Sequence, residues 1–94
     1  MLELNATTQF RHDRRLCVKR GYDMNLLNAV VDTLCIPAPL PSENRDHILT
    51  GNYIGHHECH IQSDWLLIYR MTENALYLDR TGTHADLFGH RKKS

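Results

Sequence analysis

Titratable side chains gather in the second half of this chain. The sequence has seven histidines among 94 residues, and five of them lie between His47 and His84. Histidine has an ordinary pKa of about 6.5, so it exchanges a proton near neutral pH. These residue types suit acid–base catalysis, metal binding or a plain solvated surface. The polar groups that we consider as candidates for chemistry are His47, His56, His57, Glu58, His60, Asp64, Arg80 and His84.

The segment His56–Ile61 predicts a strand with one titratable face. Successive side chains of a strand point to opposite faces, so His56, Glu58 and His60 share one face and the intervening residues share the other. Such a face is typical of a functional site, and equally of a solvated strand near a sheet edge. The pattern alone does not separate these two interpretations.

A glycine turn separates an arginine from a histidine near the end of the chain. Arg80-Thr81-Gly82-Thr83-His84 follows a predicted strand and precedes a predicted short helix, a junction whose backbone N–H groups suit an anion. Arginine offers a bidentate fork for phosphate, and histidine can exchange a proton. The structural alternative is a surface arginine that pairs with Asp79 or Asp86, beside a capping histidine.

The cysteines match neither a disulfide framework nor a zinc site. Cys17, Cys35 and Cys59 are scattered along the chain, which favours buried thiols. The sequence has no Cys-x-x-Cys pair, and strand alternation would divide the ligands of His56–His60 between two faces. We therefore expect no metal and no cofactor, with structural zinc as the disfavoured alternative.

The order of predicted elements indicates an α+β fold with one domain over residues 1–94. Short turns between the later strands require antiparallel neighbours. We expect a short first strand and two helices packed on a mainly antiparallel sheet of about four strands, with one sheet face left open for a site. The predicted elements are a strand over Leu2–Asn5, a helix over Gln9–Arg20 capped by Thr7 or Thr8, a helix over Met24–Cys35 capped by Asp23, an exposed connection over Pro37–Asn44, strands over His56–Ile61, Trp65–Tyr69 and Ala75–Thr81, and a short helix near Ala85–Phe88 capped by Thr83 and Asp86.

Two aromatic residues and one basic stripe each allow a structural and a binding interpretation. Trp65 opens an apolar strand, which favours a core position over a base-stacking platform, and Phe88 either caps the core or stacks on a base. Arg11, Arg15 and Lys19 recur every four residues on one helical face. That face is either solvated or meets RNA or an acidic protein.

Composition excludes some classes of protein. The formal net charge is zero, and no apolar run approaches the roughly 18 residues of a membrane span. The first residues, Met1–Asn5, lack the basic and apolar regions of a signal peptide, so we expect a reduced, cytoplasmic protein without membrane contact. The basic residues concentrate in Phe10–Arg20 and in Arg91–Lys93.

Four motifs stand out in the second half of the chain: Asp46-His47-x-Leu49-x-Gly51, Glu58-Cys59-His60-Ile61, Asp64-Trp65-Leu66-Leu67-Ile68-Tyr69 and Arg80-Thr81-Gly82-Thr83-His84-x-x-Leu87-Phe88. They resemble those of YafQ-type toxins, which belong to the RelE superfamily of bacterial type II toxin–antitoxin systems. The N-terminal half is similar mainly in its order of elements. His57 stands where relatives commonly have arginine, and Ser63 replaces the proline that often precedes the Asp-Trp pair.

The resemblance implies a RelE-like fold and a metal-independent endoribonuclease that cuts mRNA on the ribosome after attack by the 2′-hydroxyl. It also implies a cognate antitoxin of the DinJ/RelB type, with the toxin monomeric when alone. Since phosphate contacts dominate nucleic-acid affinity, the neutral charge favours positioning of the RNA by the ribosome. The alternative is a catalytically silent module of the same fold that binds an antitoxin-like partner or nucleic acid.

The resemblance also implies roles for individual residues. His84 is the leading general acid, and Arg80 stabilises the charged phosphorane. The general base, or the group that orients it, is one of His47, His60 and Asp64. The implied substrate-binding or site-shaping residues are His57, Glu58, Trp65 and Phe88.

Overall fold

The computed structural model of the chain describes residues 1–51 and 55–89. The elements in these two ranges alternate much as predicted, with a short strand and two helices before the main strands. In chain order they are β1 (Glu3–Ala6), α1 (Thr8–Lys19), α2 (Met24–Cys35), a 3-10 helix (Ser42–Asn44), β2 (His47–Ile48), β3 (His57–Gln62), β4 (Trp65–Met71), β5 (Ala75–Gly82) and α3 (His84–Phe88).

The strands form one sheet in the order β1-β5-β4-β3-β2. β1 pairs with β5 in parallel, and the other neighbours are antiparallel. The sheet therefore has one strand more than the expected four. The additional strand is β2, which has two residues and so could not show the alternation by which a strand is recognised.

The helix ends follow the predicted capping residues. The Thr7 hydroxyl accepts a hydrogen bond from the backbone N–H of Phe10 at the start of α1, and the Asp23 carboxylate accepts one from Asn25 at the start of α2. Just after α1, Gly21 adopts a φ of 82°, a conformation that glycine reaches without steric cost. The predicted α1 and α2 are confirmed to within one residue at each end.

One face of the sheet carries the large apolar core under α1 and α2. Phe10 and Cys17 of α1 and the apolar stripe of α2 pack there against side chains of β3, β4 and β5. The strand residues in this cluster are Cys59, Ile61, Trp65, Leu67, Tyr69, Leu76 and Leu78. The expectation that the helix pair covers one face is therefore confirmed.

The opposite face has a much smaller apolar cluster. Leu66 and Ile68 of β4 are fully buried there beneath Leu87 of α3, and Leu49 packs against them. Because apolar residues of β4 face both clusters, this strand reads as an unbroken apolar run. α3 is thus the described α-helix that packs on this face.

Two further features concern the ends of the chain and the membrane. The basic segment Arg91–Lys93 lies outside the described residues. Within 1–51 and 55–89, no helix has the length and apolar character that crossing a bilayer requires.

Candidate functional site

Cross-strand pairing brings the predicted polar residues to the face with the smaller apolar cluster. One row across the sheet consists of His47, Glu58, Ile68 and Arg80, and the next row contains His60, Leu66 and Gly82. Residues directly opposite each other in a sheet share a face. The predicted titratable face of β3 therefore lies beside Arg80 and below the start of α3.

His84 and Asp64 form the most tightly connected pair of this site. His84 Nδ1 donates a hydrogen bond to Asp64 Oδ1 over 2.6 Å, and the backbone N–H of His84 donates to the same oxygen over 3.0 Å. The backbone hydrogen bond first, and then the side-chain bond, lower the pKa of Asp64 below its ordinary value. An ionised Asp64 holds the proton of His84 on Nδ1, so Nε2 is the nitrogen that can exchange a proton with a substrate.

Both members of the pair are accessible to a large ligand. The exposed fractions of the side chains are 53% for His84 and 62% for Asp64. Asp64 lies in the turn between β3 and β4, and His84 is the first residue of α3. Two short connections at the same end of the sheet therefore position the pair.

His60 and Phe88 flank His84. The rings of His60 and His84 lie edge to face with centroids 5.7 Å apart, and the centroids of His84 and Phe88 are 6.5 Å apart. The Asn44 side chain donates a hydrogen bond of 2.7 Å to the carbonyl of His60 and thereby joins the 3-10 helix to β3. Phe88 is 39% exposed, so its ring is available to a ligand at His84.

His47 and Glu58 form a second acid–base pair in the row below. His47 Nδ1 donates to the backbone carbonyl of Arg45 over 2.7 Å, and His47 Nε2 lies 3.2 Å from Glu58 Oε1. His60 Nε2 lies 3.7 Å from the same oxygen. Glu58 is buried, whereas the side chain of His47 is about half exposed. The pair therefore joins a buried carboxyl group to a histidine that solvent can reach.

Arg80 is held by an acid that our sequence analysis did not single out. Arg80 Nε donates to Asp13 Oδ2 over 2.7 Å, and Arg80 Nη2 donates to Asp13 Oδ1 over 3.3 Å. The proposed pairing with Asp79 or Asp86 is wrong, since those acids bind Arg70 and Arg20 instead. Asp13 is the single acid in the basic segment 10–20, which was the available signal.

The junction between β5 and α3 does not provide a ready anion site. The N–H of His84 is bonded to Asp64, and the N–H of Asp86 is bonded to the Thr83 hydroxyl. The Asp86 carboxylate in turn accepts from the N–H of Thr83, which completes the predicted capping box. The expectation that these backbone donors would bind an anion is therefore wrong. The charge for an anion must come from side chains.

His57 and Trp65 lie away from the group around His84. The His57 ring stacks on Tyr69, whose side chain belongs to the helix-covered cluster. Trp65 is 2% exposed, and its indole N–H donates to the Thr81 hydroxyl over 2.9 Å. In this structure Trp65 shapes the site from within the core, and His57 points to the other sheet face. The substrate-binding role of these two residues stays a prediction.

His56 belongs to a separate polar cluster. It precedes β3 instead of starting it, and its Nε2 lies 3.1 Å from Asp79 Oδ2. Asp79 also accepts two hydrogen bonds from Arg70, whose guanidinium lies 4.6 Å from the centroid of the Tyr77 ring. This cluster is held together by its own ion pairs.

The three cysteines are buried thiols, as predicted. Cys17, Cys35 and Cys59 are unpaired, and burial raises the pKa of each thiol, in the case of Cys59 to about 12. None therefore presents an activated thiolate. Over residues 1–51 and 55–89, no group of three or more His, Cys, Asp and Glu side chains is arranged to hold a metal ion.

Several residues that support the site were not predicted from the sequence. Asp13 holds Arg80, Thr81 holds Trp65, and Arg20 of the α1 terminus binds Asp86 of α3 in a bidentate pair. Each contact joins residues that are far apart in the chain. Local patterns carry no signal for such pairs, apart from the isolated acid in the basic segment.

The sequence and the fold agree with a class of known bacterial proteins. The model of the YafQ family, described as the bacterial toxin of a type II toxin–antitoxin system, matches residues 2–89. The chain is 42% identical over 89 residues to the mRNA interferase toxin YafQ of Escherichia coli K12, covering 93% of this chain and 96% of that protein. It is 32% identical over 72 residues to a putative YafQ toxin of Haemophilus influenzae, covering 73% and 71%.

Solved structures give the same result. The crystal structure of YafQ from E. coli BL21(DE3) superposes with a TM-score of 0.90 at 38% identity, covering 95% of this chain and all of that one. YafQ in the E. coli DinJ–YafQ toxin–antitoxin complex gives 0.87 at 39%, covering 94% and 98%. A metal-bound toxin from Helicobacter pylori gives 0.88 at 39%, covering 94% and 100%. This chain belongs to the YafQ family of type II toxins.

Proposed function

We propose that the chain is an mRNA interferase, an endoribonuclease that cuts messages on the ribosome and is silenced by a cognate antitoxin. The observation that carries the proposal is the His84–Asp64 pair beside His60, on the same sheet face as Arg80. A histidine oriented by a carboxylate, with a second histidine at ring-contact distance and a cation nearby, contains the groups that RNA transesterification needs.

The reaction uses the nucleophile that RNA itself provides. A base removes the proton of a 2′-hydroxyl, and the oxygen attacks the adjacent phosphorus. The P–O5′ bond breaks, and an acid protonates the departing 5′-oxygen. The products are a 2′,3′-cyclic phosphate, which water can open to a 3′-phosphate, and a 5′-hydroxyl end.

The geometry supports a role for each side chain. His84 is the general acid, because Asp64 occupies Nδ1 and leaves Nε2 for the leaving oxygen. Arg80 neutralises the charge that develops on the phosphorane oxygens. His47 and His60 both lie close to the buried Glu58, and one side chain of this cluster of three is the general base. Phe88 supplies an exposed aromatic surface for a base next to the cleaved bond.

The reaction proposed here uses side chains for every proton transfer and is independent of metal. We expect EDTA to leave cleavage unchanged, provided that magnesium is added in excess over the EDTA to supply the ribosomes. A loss of cleavage that zinc or copper, but not magnesium, reverses would contradict this part of the proposal.

The partners follow from the similar proteins. The E. coli relative is crystallised with the antitoxin DinJ, and we propose an antitoxin of the DinJ/RelB type for this chain. We further propose that the whole chain acts as one cytoplasmic domain that is monomeric without its antitoxin. Co-expression with the neighbouring gene should restore growth, and the two proteins should co-purify.

The central experiment compares wild type with His84→Ala. Induction of wild type alone should stop growth and produce new 5′ ends within translated messages. The variant should lose about 10²–10⁴-fold in cleavage rate, the range expected for a general acid, while melting as wild type does. Primer extension on messages with and without ribosomes measures both ribosome dependence and the cut position. Equal toxicity of a folded His84→Ala would overturn the proposal, and a harmless wild type would favour a catalytically silent module.

A further inference from the structure

The Asp13–Arg80 contact crosses between a helix and the site face of the sheet. Asp13 lies in the middle of α1, 67 residues before Arg80 in the chain. Its carboxylate binds both Nε and Nη2 of the guanidinium. A two-point contact fixes the plane and direction of an arginine, which a single hydrogen bond does not.

Asp13 is itself fixed to the strand that carries Arg80. The backbone N–H of Thr81 donates a hydrogen bond of 3.2 Å to Asp13 Oδ2. This donor is at the edge of β5 beyond the end of β1, whose last partner on β5 is Leu78. Asp13 therefore takes the place of a β1 residue as the partner of β5 beyond the end of β1. These contacts restrict the motion of its side chain.

The start of α1 is attached to the same strand. The Thr7 hydroxyl, which caps α1, donates to the backbone carbonyl of Asp79 over 3.1 Å. The exposed fraction of the Asp13 side chain is 11%, and that of Arg80 is 25%. A carboxylate this deeply buried is costly unless a partner compensates it, so the pair is maintained in the folded protein.

We propose that Asp13 is a positioning residue that orients the Arg80 guanidinium toward the scissile phosphate. The inference rests on the proposed function, since it acts through the role given there to Arg80. Because Nε and Nη2 both bind Asp13, the guanidinium keeps one orientation relative to the site face. Fixing this orientation before the reaction removes the cost of ordering a flexible arginine from the chemical step.

The test is a double-mutant cycle on purified toxin and programmed ribosomes. The single-turnover cleavage rate at saturating toxin is measured for wild type, Asp13→Asn, Arg80→Ala and the double variant, together with the toxin concentration that gives half the maximal rate. We expect Asp13→Asn to lower the maximal rate about 10–100-fold, with little change in the half-saturating concentration. In the Arg80→Ala background, Asp13→Asn should have almost no further effect on the rate.

A matched control separates positioning from stability. Asp79 precedes Arg80 in β5 and forms an equally bidentate pair with Arg70. Asp79→Asn breaks this pair. We expect it to lower the melting temperature by about as much as Asp13→Asn and to leave the cleavage rate of folded toxin unchanged. Asp13→Glu keeps the charge, and it replaces Asp13→Asn in the cycle if the latter does not fold. It should lower the rate less than the amide does.

The outcomes distinguish the inference from the function on which it rests. If Arg80→Ala lowers the rate but Asp13→Asn does not, Asp13 is only structural and the inference fails while the proposed function stands. If Asp13→Asn raises the rate, Asp13 restrains Arg80 and the inference is overturned. If wild type does not cleave mRNA at all, the proposed function fails first. Additive losses in the double variant would also contradict action through Arg80.

Discussion

The two faces of the sheet differ in what they bury. The helix-covered face has a large cluster of apolar side chains from all the long strands and from both long helices. On the site face, the buried apolar cluster of the described residues consists of Leu66, Ile68 and Leu87, with polar residues on either side of it. The helix-covered face stabilises the fold, and the site face carries the candidate catalytic side chains around a small apolar cluster.

β4 shows the difference within a single strand. Trp65, Leu67 and Tyr69 face the helices, while Leu66 and Ile68 face the site. Ile68 lies between Glu58 and Arg80 in the same row, and two strand spacings separate these residues by about 10 Å. Ile68 therefore places an apolar side chain between the strand positions of the acid and the cation.

The largest expected effect is on the helix-covered face. Leu67 is completely buried, so Leu67→Ala should cost about 2–5 kcal/mol of unfolding free energy from lost burial and a cavity. This corresponds to a fall of roughly 10 °C or more in melting temperature. Thermal and urea unfolding measure it. The exposed Leu16→Ala is the control, and a similarly small change at Leu67 would contradict the proposed division between the faces.

On the site face the effect should fall on catalysis instead. Asp64→Asn removes the charge that orients His84 and should lower the cleavage rate by about 10²-fold or more. Asp64 is largely exposed, so unfolding free energy should change by less than about 0.5 kcal/mol. Cleavage assays and urea unfolding are run on the same samples. An active Asp64→Asn variant would remove Asp64 from the site.

A substitution of Trp65 tests whether this residue is part of the core or contacts the substrate. Trp65→Phe leaves the buried Thr81 hydroxyl without its indole donor and should cost about 1–3 kcal/mol of stability. Because the indole is buried, the toxin concentration at half-maximal cleavage should not change. A weakened interaction with ribosome-bound mRNA, at unchanged stability, would instead mean that Trp65 turns outward and contacts RNA.

The smallest effect concerns the contact that joins α1 to α3. The hydrogen bonds from Arg20 keep the pKa of Asp86 well below its ordinary value of 3.8, so the pair stabilises the fold above that pH and loses its contribution as the pH falls further. Arg20→Ala should cost about 0.2–1 kcal/mol at pH 7. Urea unfolding from pH 7 to pH 2.5 should show the gap to wild type closing below about pH 4. A gap that stays constant would exclude this linkage.

Gly82 illustrates how closely local sequence and tertiary packing are connected. Its φ is 154°, and a Cβ at this position would come within 2.8 Å of Asp86 Oδ2. A glycine turn was expected between Arg80 and His84. The reason for glycine, the approach of the α3 capping carboxylate, became visible only in three dimensions.

The sequence by itself determined the elements and the residues of one strand face. Caps, apolar periodicity and alternation are local, so they predicted α1, α2 and the strand face shared by Glu58 and His60 without knowledge of the fold. The motifs around His84 further identified the family that the comparisons later established. Local chemistry was sufficient because each signal lies within a few residues.

Only the tertiary structure decided which groups meet. The pairing of His84 with Asp64 spans 20 residues, and that of Arg80 with Asp13 spans 67. Such contacts depend on strand order and on the edge at which β1 ends, and neither leaves a periodic trace in the sequence. It was likewise packing that buried Trp65 almost completely, because burial depends on what the whole chain places above a residue.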